Sequence, residues 1–326
     1  MTQLNLSVAI GDYDRNRPLI DGTVKIDGVD PVFMKLVPEE IFFRAFRTQD
    51  FDICELSLSS FTLKTALGNC PYVGVPAFVS RCFRHTSIFV RTDRIARPED
   101  LRGKRVGVPE WQLTANVWAR AILEDDFGVR PSDMKWVRGG ISDVARPEKI
   151  AVNLPPGVEM EDAPEGVTIS ELLLRGEIDG FIAPRAPALQ SPNIGWLFRD
   201  PLAAAKDYFK RTGIFPIMHL IGVRKTLVER HPWLPFAVFK AFDRSKKLAL
   251  EALSDVAATK VTLPFVEEQL AAARELMGED FWPYGVEPNR KALESFLRAH
   301  HSQGISPRVL GVEELFHPAT LESFKI

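Results

Sequence analysis

Between Leu101 and Gly128 the chain reads LRGKRVGVPEWQLTANVWARAILEDDFG. The pattern predicts a short strand at Lys104–Val108, a tight turn, and a long helix from about Leu113 to Asp125. A strand that feeds a helix through a tight turn must lay that helix back on a sheet, which excludes all-α and all-β architectures. The turn at the head of such a helix is a natural anion site, because its N–H groups have no partners within the helix. Here it holds Glu110 and Trp111 instead of small residues. A carboxylate in an anion-binding position moves the reading from binding toward chemistry.

The same alternation runs along most of the chain. Strands are predicted at Leu4–Ile10, Val32–Leu36, Phe51–Leu56, Val73–Phe78, Thr86–Arg91, Lys135–Arg138, Gly180–Ala183, Gly195–Phe198 and Ile217–Arg224. Helices are predicted from Pro38 to about Thr48, then at Leu58–Leu67, Ile169–Arg175, Lys225–Arg230, Leu234–Leu253, Pro264–Met277 and Asn289–Gln303. Residues 141–168, rich in Pro, Glu and Gly, read as a loop or small insertion. The fold class is therefore α/β, two lobes each built on an open sheet flanked by helices, with a ligand cleft between them. Taking the strands near 86–91 and 217–223 as crossovers gives lobe one as 1–88 plus 222–326 and lobe two as 89–221.

The chain has 326 residues, enough for two lobes, and a net charge of -2, which gives no basis for nucleic acid or a membrane surface as partner. Its three cysteines lack metal or CxxC spacing, as in a reducing compartment. The opening MTQLNLSVAIGDYD has no basic region followed by an apolar run, and no apolar stretch nears the roughly 18 residues that span a bilayer. The expected location is cytoplasmic.

Several segments carry a resemblance. DLRGKRVGVPE, LLLRGEIDGFIAPRAP and the closing run of helices resemble the type II periplasmic-binding-protein fold, in its thiamine-precursor-synthesis and aromatic-sulfonate branch. FDICELSLSSF, PAFVSRCFRHTSIFVR, GKRVGVPEWQLTANVWARAIL, WVRGG and FPIMHLIGVRK are similar to the 4,5-dihydroxyphthalate decarboxylase family over almost the whole chain. The resemblance implies a cofactor-free carboxy-lyase of aromatic compound degradation that converts 4,5-dihydroxyphthalate to 3,4-dihydroxybenzoate and CO2. Its implied partner is a small aromatic carboxylate. A divalent metal and a homo-oligomer stay compatible with the sequence. The alternative is a solute-binding protein for an aromatic carboxylate or a pyrimidine-like ligand.

Such a substrate needs clamps for two adjacent carboxylates, a group near the ring hydroxyls, and an acid near the ring carbon. Arg81 and Arg185 are the first candidate clamps, with Arg138 beside its Gly pair as a third. If Ser80–Phe89 is extended, Arg81, Phe83 and His85 share one face. Trp111 is a candidate ring platform, and Thr114 with Gln112 a source of polar contacts. Asp12, Tyr13 and Arg15 follow the first strand, and Glu55 ends the third. Each has a plainer reading as turn, cap or surface chemistry.

The catalytic candidates are Glu110, His85 and His219. Histidine titrates near neutrality, although a lone histidine in the apolar run IMHLIGV is as often a core residue. Like charge at about 4 Å with an effective dielectric near 20 is worth ~4 kcal/mol. That outweighs the helix-terminus preference of about 0.3–1 kcal/mol for an ionised Glu110, so a bound dianion would favour a protonated, proton-donating Glu110. No metal-binding spacing is present.

Overall fold

Alternating apolar residues at Leu4, Leu6, Val8 and Ile10 make the first strand the inner member of a mixed sheet, as the computed structural model of the chain shows. The structure describes residues 3–143, 153–188 and 191–321. In chain order the strands are β1 Leu4–Ile10, β2 Val29–Lys35, β3 Ile53–Ser57, β4 Tyr72–Arg81, β5 Ile88–Arg91, β6 Arg105–Val108, β7 Lys135–Arg138, β8 Glu159–Asp162, β9 Gly180–Ile182, β10 Ile194–Trp196 and β11 Ile217–Arg224.

The chain divides into two compact units. The first is Met1–Arg81, Ile217–Leu293 and Leu310–Ile326; the second is Cys82–Pro216 and Glu294–Val309. These limits differ from the expected ones at 88/89 and 221/222. The reason lies in one ladder: β4 and β11 pair antiparallel, from Tyr72 opposite Arg224 to Arg81 opposite Ile217. Both strands therefore belong to the first unit, and β5 pairs with β9 and β10 in the second. The second unit also takes in Glu294–Val309, where Arg298 reaches Asp125 at 2.6 Å and the Phe296 ring lies 5.4 Å from Trp118.

The first unit's sheet has the order β2-β1-β3-β11-β4. β1 is parallel to β2 and β3, and β11 is antiparallel to β3 and β4. Inner positions such as Val8, Ile53, Leu220 and Ile221 are fully buried, and helix Leu234–Leu253 adds Phe242 to the same unit's core. Helix Pro38–Arg47 starts on a proline whose missing N–H costs nothing there, with Glu39 and Glu40 in its first turn.

The second unit's sheet has the order β10-β5-β9-β6-β7-β8. Phe89, Val137 and Phe181 from its strands pack with Ile169, Leu172 and Leu173 of helix Ile169–Arg175. Helix Thr114–Phe127 is stopped by Gly128 at φ 63°, a left-handed conformation that glycine adopts without strain.

Three local readings are corrected. Ser80–Phe89 is not extended, because β4 ends at Arg81 and Arg84–Ser87 forms a 3-10 turn. Part of the expected loop 141–168 is strand β8, which pairs in parallel with β7; residues 144–152 lie outside the described residues. A helix at Pro201–Thr212 was not anticipated, although Asp200 caps its start and Gly213 closes it.

Candidate active site

Glu55 stands at the centre of the first unit's sheet with no solvent exposure. In β3 it lies opposite Ile221 of β11, so His219, two residues away on that strand, is its diagonal neighbour on the same face. The β4/β11 register shifts on both sides of His219, and such irregularities re-aim a side chain. His219 Nδ1 lies 2.5 Å from Glu55 Oε1. The Tyr13 hydroxyl donates to the same oxygen at 2.8 Å, and the Gly11 backbone N–H donates to Oε2 at 2.9 Å.

Burial by itself raises the Glu55 pKa, but the donors from His219, Gly11 and Tyr13 outweigh it and hold the carboxyl below its ordinary range. An ionised carboxylate only accepts hydrogen bonds, so the proton between Glu55 and His219 sits on Nδ1. His219 Nε2 has no partner among the described residues, and the ring is braced edge-on by Phe42 at 4.8 Å. Burial, and next the Glu55 charge, raise the Tyr13 phenol, which stays a donor.

Tyr13 folds back over Gly11 so closely that a Cβ there would lie 2.6 Å from the ring. Only glycine permits this approach. Arg15 lies between two rings, its guanidinium carbon 4.3 Å from the Tyr13 centroid and 4.4 Å from that of Trp282. Its Nε donates to Val79 O at 2.7 Å.

The segment Trp282–Gly285 completes this unit's polar cluster. Trp282 Nε1 donates to Phe78 O at 2.8 Å, Gly285 N to Pro76 O at 2.9 Å, and Asn289 Nδ2 to the carbonyls of Pro283 and Gly285. Arg81, only 7% exposed, donates to Pro283 O at 2.7 Å and to Asn289 Oδ1. Burial lowers its pKa. Arg81 thus fastens a loop within the fold. Asp12 instead lies on the surface, paired with Arg17 and Lys35.

The second unit distributes its candidates differently. Trp111 is fully buried, so it cannot serve as an open ring platform. Its Nε1 donates to Gln303 O at 2.9 Å, its ring meets Trp136 edge-on at 5.1 Å, and the Arg120 guanidinium lies 3.8 Å over it. Glu110 is half-buried and precedes the N-cap residue Leu113 by three positions. Its carbonyl accepts from Asn116 Nδ2 at 2.9 Å. Thr114 opens that helix and is buried. Arg138 is bidentate to Asp162, its register partner on β8, at 2.7 and 3.0 Å. Arg185 is exposed in a bend after β9.

His85 is 2% exposed and lies edge-on to Phe198 and Tyr208, at 5.0 and 5.5 Å. Its Nδ1 has no partner among the described residues, and burial pushes the imidazole down to about 4. Neutral at pH 7, it cannot supply an acidic proton. Among the described residues no group of three or more His, Cys, Asp or Glu converges as metal ligands, and no helix is long and apolar enough to cross a membrane.

The sequence is 61% identical over 330 aligned positions, all of this chain and all of the relative, to 4,5-dihydroxyphthalate decarboxylase of Comamonas testosteroni. It is 57% identical over 214 residues, 64% of this chain and 83% of the relative, to the enzyme of the same name from Pseudomonas putida. The chain belongs to the 4,5-dihydroxyphthalate decarboxylase family. No family model matches it. Two solved structures share its fold: the periplasmic aliphatic sulphonate binding protein of Escherichia coli, at 11% identity and TM-score 0.51 over 100% of this chain and 96% of that one, and the alkanesulfonate-binding protein of Xanthomonas axonopodis pv. citri, at 11% identity and TM-score 0.50 over 98% of each. At that identity the likeness is one of fold. The decarboxylase family is thus carried on a periplasmic-binding-protein-like fold.

Of the family member's candidate residues, the structure joins Tyr13, Glu55 and His219 and leaves Arg15 against them. Glu110, Arg138 and Arg185 belong to the second unit. Sequence reasoning passed over Trp282–Gly285. The available signal was WPYG, two rings in a Pro/Gly turn beside the helical C-terminal region.

The His85 environment sets a pH test. The unfolded chain binds a proton to this residue near pH 6.5 and the folded one only near 4, so unfolding becomes easier as pH falls through that window. The group's contribution is about 1.4 kcal/mol per pH unit. Denaturant titrations from pH 7 to 4 are expected to show this loss, and a His85→Phe variant a shallower one; equal slopes contradict the placement.

Proposed function

We propose that this chain is a carboxy-lyase that converts 4,5-dihydroxyphthalate to 3,4-dihydroxybenzoate and CO2, and that His219 is its proton donor. The observation that supports the residue assignment is the fully buried Glu55 carboxylate, which accepts from His219 Nδ1, Tyr13 and Gly11. The substrate assignment rests on the family.

The reaction replaces a ring carboxylate with hydrogen. The imidazolium of His219 gives its Nε2 proton to the ring carbon that bears the departing carboxylate. A hydroxyl para to that carbon feeds electron density into the ring and stabilises the protonated form. The ring-to-carboxylate bond then breaks, its electron pair returns to the ring, and CO2 leaves. His219 keeps its Nδ1 proton, donated in a hydrogen bond to Glu55, throughout and regains the other from solvent.

Glu55 holds the ring orientation and stabilises the imidazolium before transfer. Tyr13 and Gly11 keep Glu55 ionised and fixed. Arg15, held between two rings with 17% of its side chain exposed, is suited to a substrate carboxylate. The reading needs no cofactor. A reducing, cytoplasmic setting fits three free cysteines.

Release of CO2 from 4,5-dihydroxyphthalate tests this directly. Wild-type protein is expected to turn over, and EDTA to leave the rate unchanged. Glu55→Gln and His219→Asn should each lower kcat by about 10²–10⁴-fold, with KM moved much less. The double variant should be no worse than the poorer single one, as for residues acting as a unit. Tight binding without CO2 release contradicts the activity. Near-normal kcat in both single variants contradicts the residue assignment, and a chelator-sensitive rate restored by a divalent cation contradicts a cofactor-free reaction.

A further inference from the structure

The loop Trp282–Gly285 is secured at almost every polar group. Trp282 Nε1 is bonded to Phe78 O, the Pro283 carbonyl to Arg81 and Asn289, and Gly285 to Pro76 O through its N–H and to Asn289 through its carbonyl. Three of these anchors, Pro76, Phe78 and Arg81, come from β4, so the loop is rigidly carried by the sheet that holds Glu55 and His219. In its middle sits Tyr284, 6% exposed, whose buried hydroxyl has no hydrogen-bond partner among the described residues.

An unmatched buried hydroxyl is destabilising, and the fold satisfies the groups on either side of it. Its neighbours define what it would meet. Trp282, two residues before it, carries the Arg15 guanidinium on its face, and Pro283, directly before it, is bonded to Arg81. The Lys246 ammonium lies 5.1 Å from the Tyr284 ring and is itself neutralised by Asp280 at 2.8 Å. The charges acting on the hydroxyl are of both signs: the Arg15 and Arg81 guanidinium groups favour an anionic oxygen there, the Asp243 and Glu55 carboxylates oppose one, and Arg15 shares its charge with Asp14 at 3.1 Å. Burial raises the Tyr284 phenol, so it remains protonated and donates.

We propose that the Tyr284 hydroxyl is a substrate-binding donor that, next to Arg15, receives a carboxylate of an aromatic dicarboxylate. This rests on the reading of the Glu55–His219 cluster as a site for such a substrate. It adds a residue of this chain that sets specificity for the carboxylate side of the ring.

The decisive variant is Tyr284→Phe, which removes one oxygen and keeps the ring. A binding group and a structural one move in opposite directions here. If the hydroxyl waits for substrate, the ligand-free variant keeps or raises its Tm, and its affinity for phthalate, measured by calorimetry, falls about ten- to hundredfold, as for a lost hydrogen bond to a charged group. Catechol, which has the hydroxyls and no carboxylate, should bind wild type and variant alike. Phthalate affinity unchanged in the variant overturns the proposal and leaves the hydroxyl to solvent or the fold. So does a lower Tm with unchanged affinity, a loss confined to catechol or shared equally by both probes, or wild-type protein that does not bind phthalate. Phthalate lacks the para hydroxyl on which the proposed step depends, so a wild type that binds it and fails to decarboxylate 4,5-dihydroxyphthalate would end the activity reading and leave this inference standing.

Discussion

One buried charge organises the first unit. Glu55 has no contact with solvent, and an ionised carboxylate inside a protein is costly unless donors surround it. Three donors do so, from two parts of the chain: Gly11 after β1 with Tyr13 two residues further, and His219 on β11. Removing any one would leave part of the charge uncompensated, a loss of about 1–3 kcal/mol for a buried group. The same requirement explains Gly11, which must lack a Cβ so that Tyr13 can fold back, and the register shifts that bring His219 round to the carboxylate. Structural need and chemical use meet here, since the arrangement that stabilises the charge also fixes a histidine with one nitrogen committed and the other open.

The two units treat their buried cations and rings differently. In the first, Arg15 keeps partial exposure between Tyr13 and Trp282, and Arg81 is used to fasten a loop. In the second, Arg120 is fully buried over Trp111 and bonded to Gln303 Oε1 and Trp111 O, a device that knits helix Thr114–Phe127 to the segment 294–309. Trp111 thus holds a core together. Its sequence context, a turn ahead of a helix, had suggested a ligand platform, but a turn position does not determine which way a large ring points.

Much of the architecture was legible. Strand alternation and helix signals located β1, β7, β11 and the helices Ile169–Arg175, Lys225–Arg230 and Leu234–Leu253 at their observed limits. Local patterns give element positions because period and caps are local properties. The unit limits were less legible, since they depend on the β4/β11 ladder between residues far apart in sequence. The site was legible in part for the same reason. Tyr13, Glu55 and His219 were all candidates, yet their convergence is a matter of register, which no single segment carries. Tyr284 was missed because its interest comes from what it lacks, and a missing hydrogen bond has no sequence signature.

The account's central claim is that Glu55 holds the Nδ1 proton of His219 and leaves Nε2 for the substrate. Nitrogen-15 NMR of histidine-labelled protein measures this at the two ring nitrogens. The account predicts a protonated, strongly hydrogen-bonded His219 Nδ1, with Nε2 the nitrogen left open, and loss of that Nδ1 signature in Glu55→Gln. A neutral His219 protonated at Nε2, or a spectrum indifferent to Glu55→Gln, would contradict it.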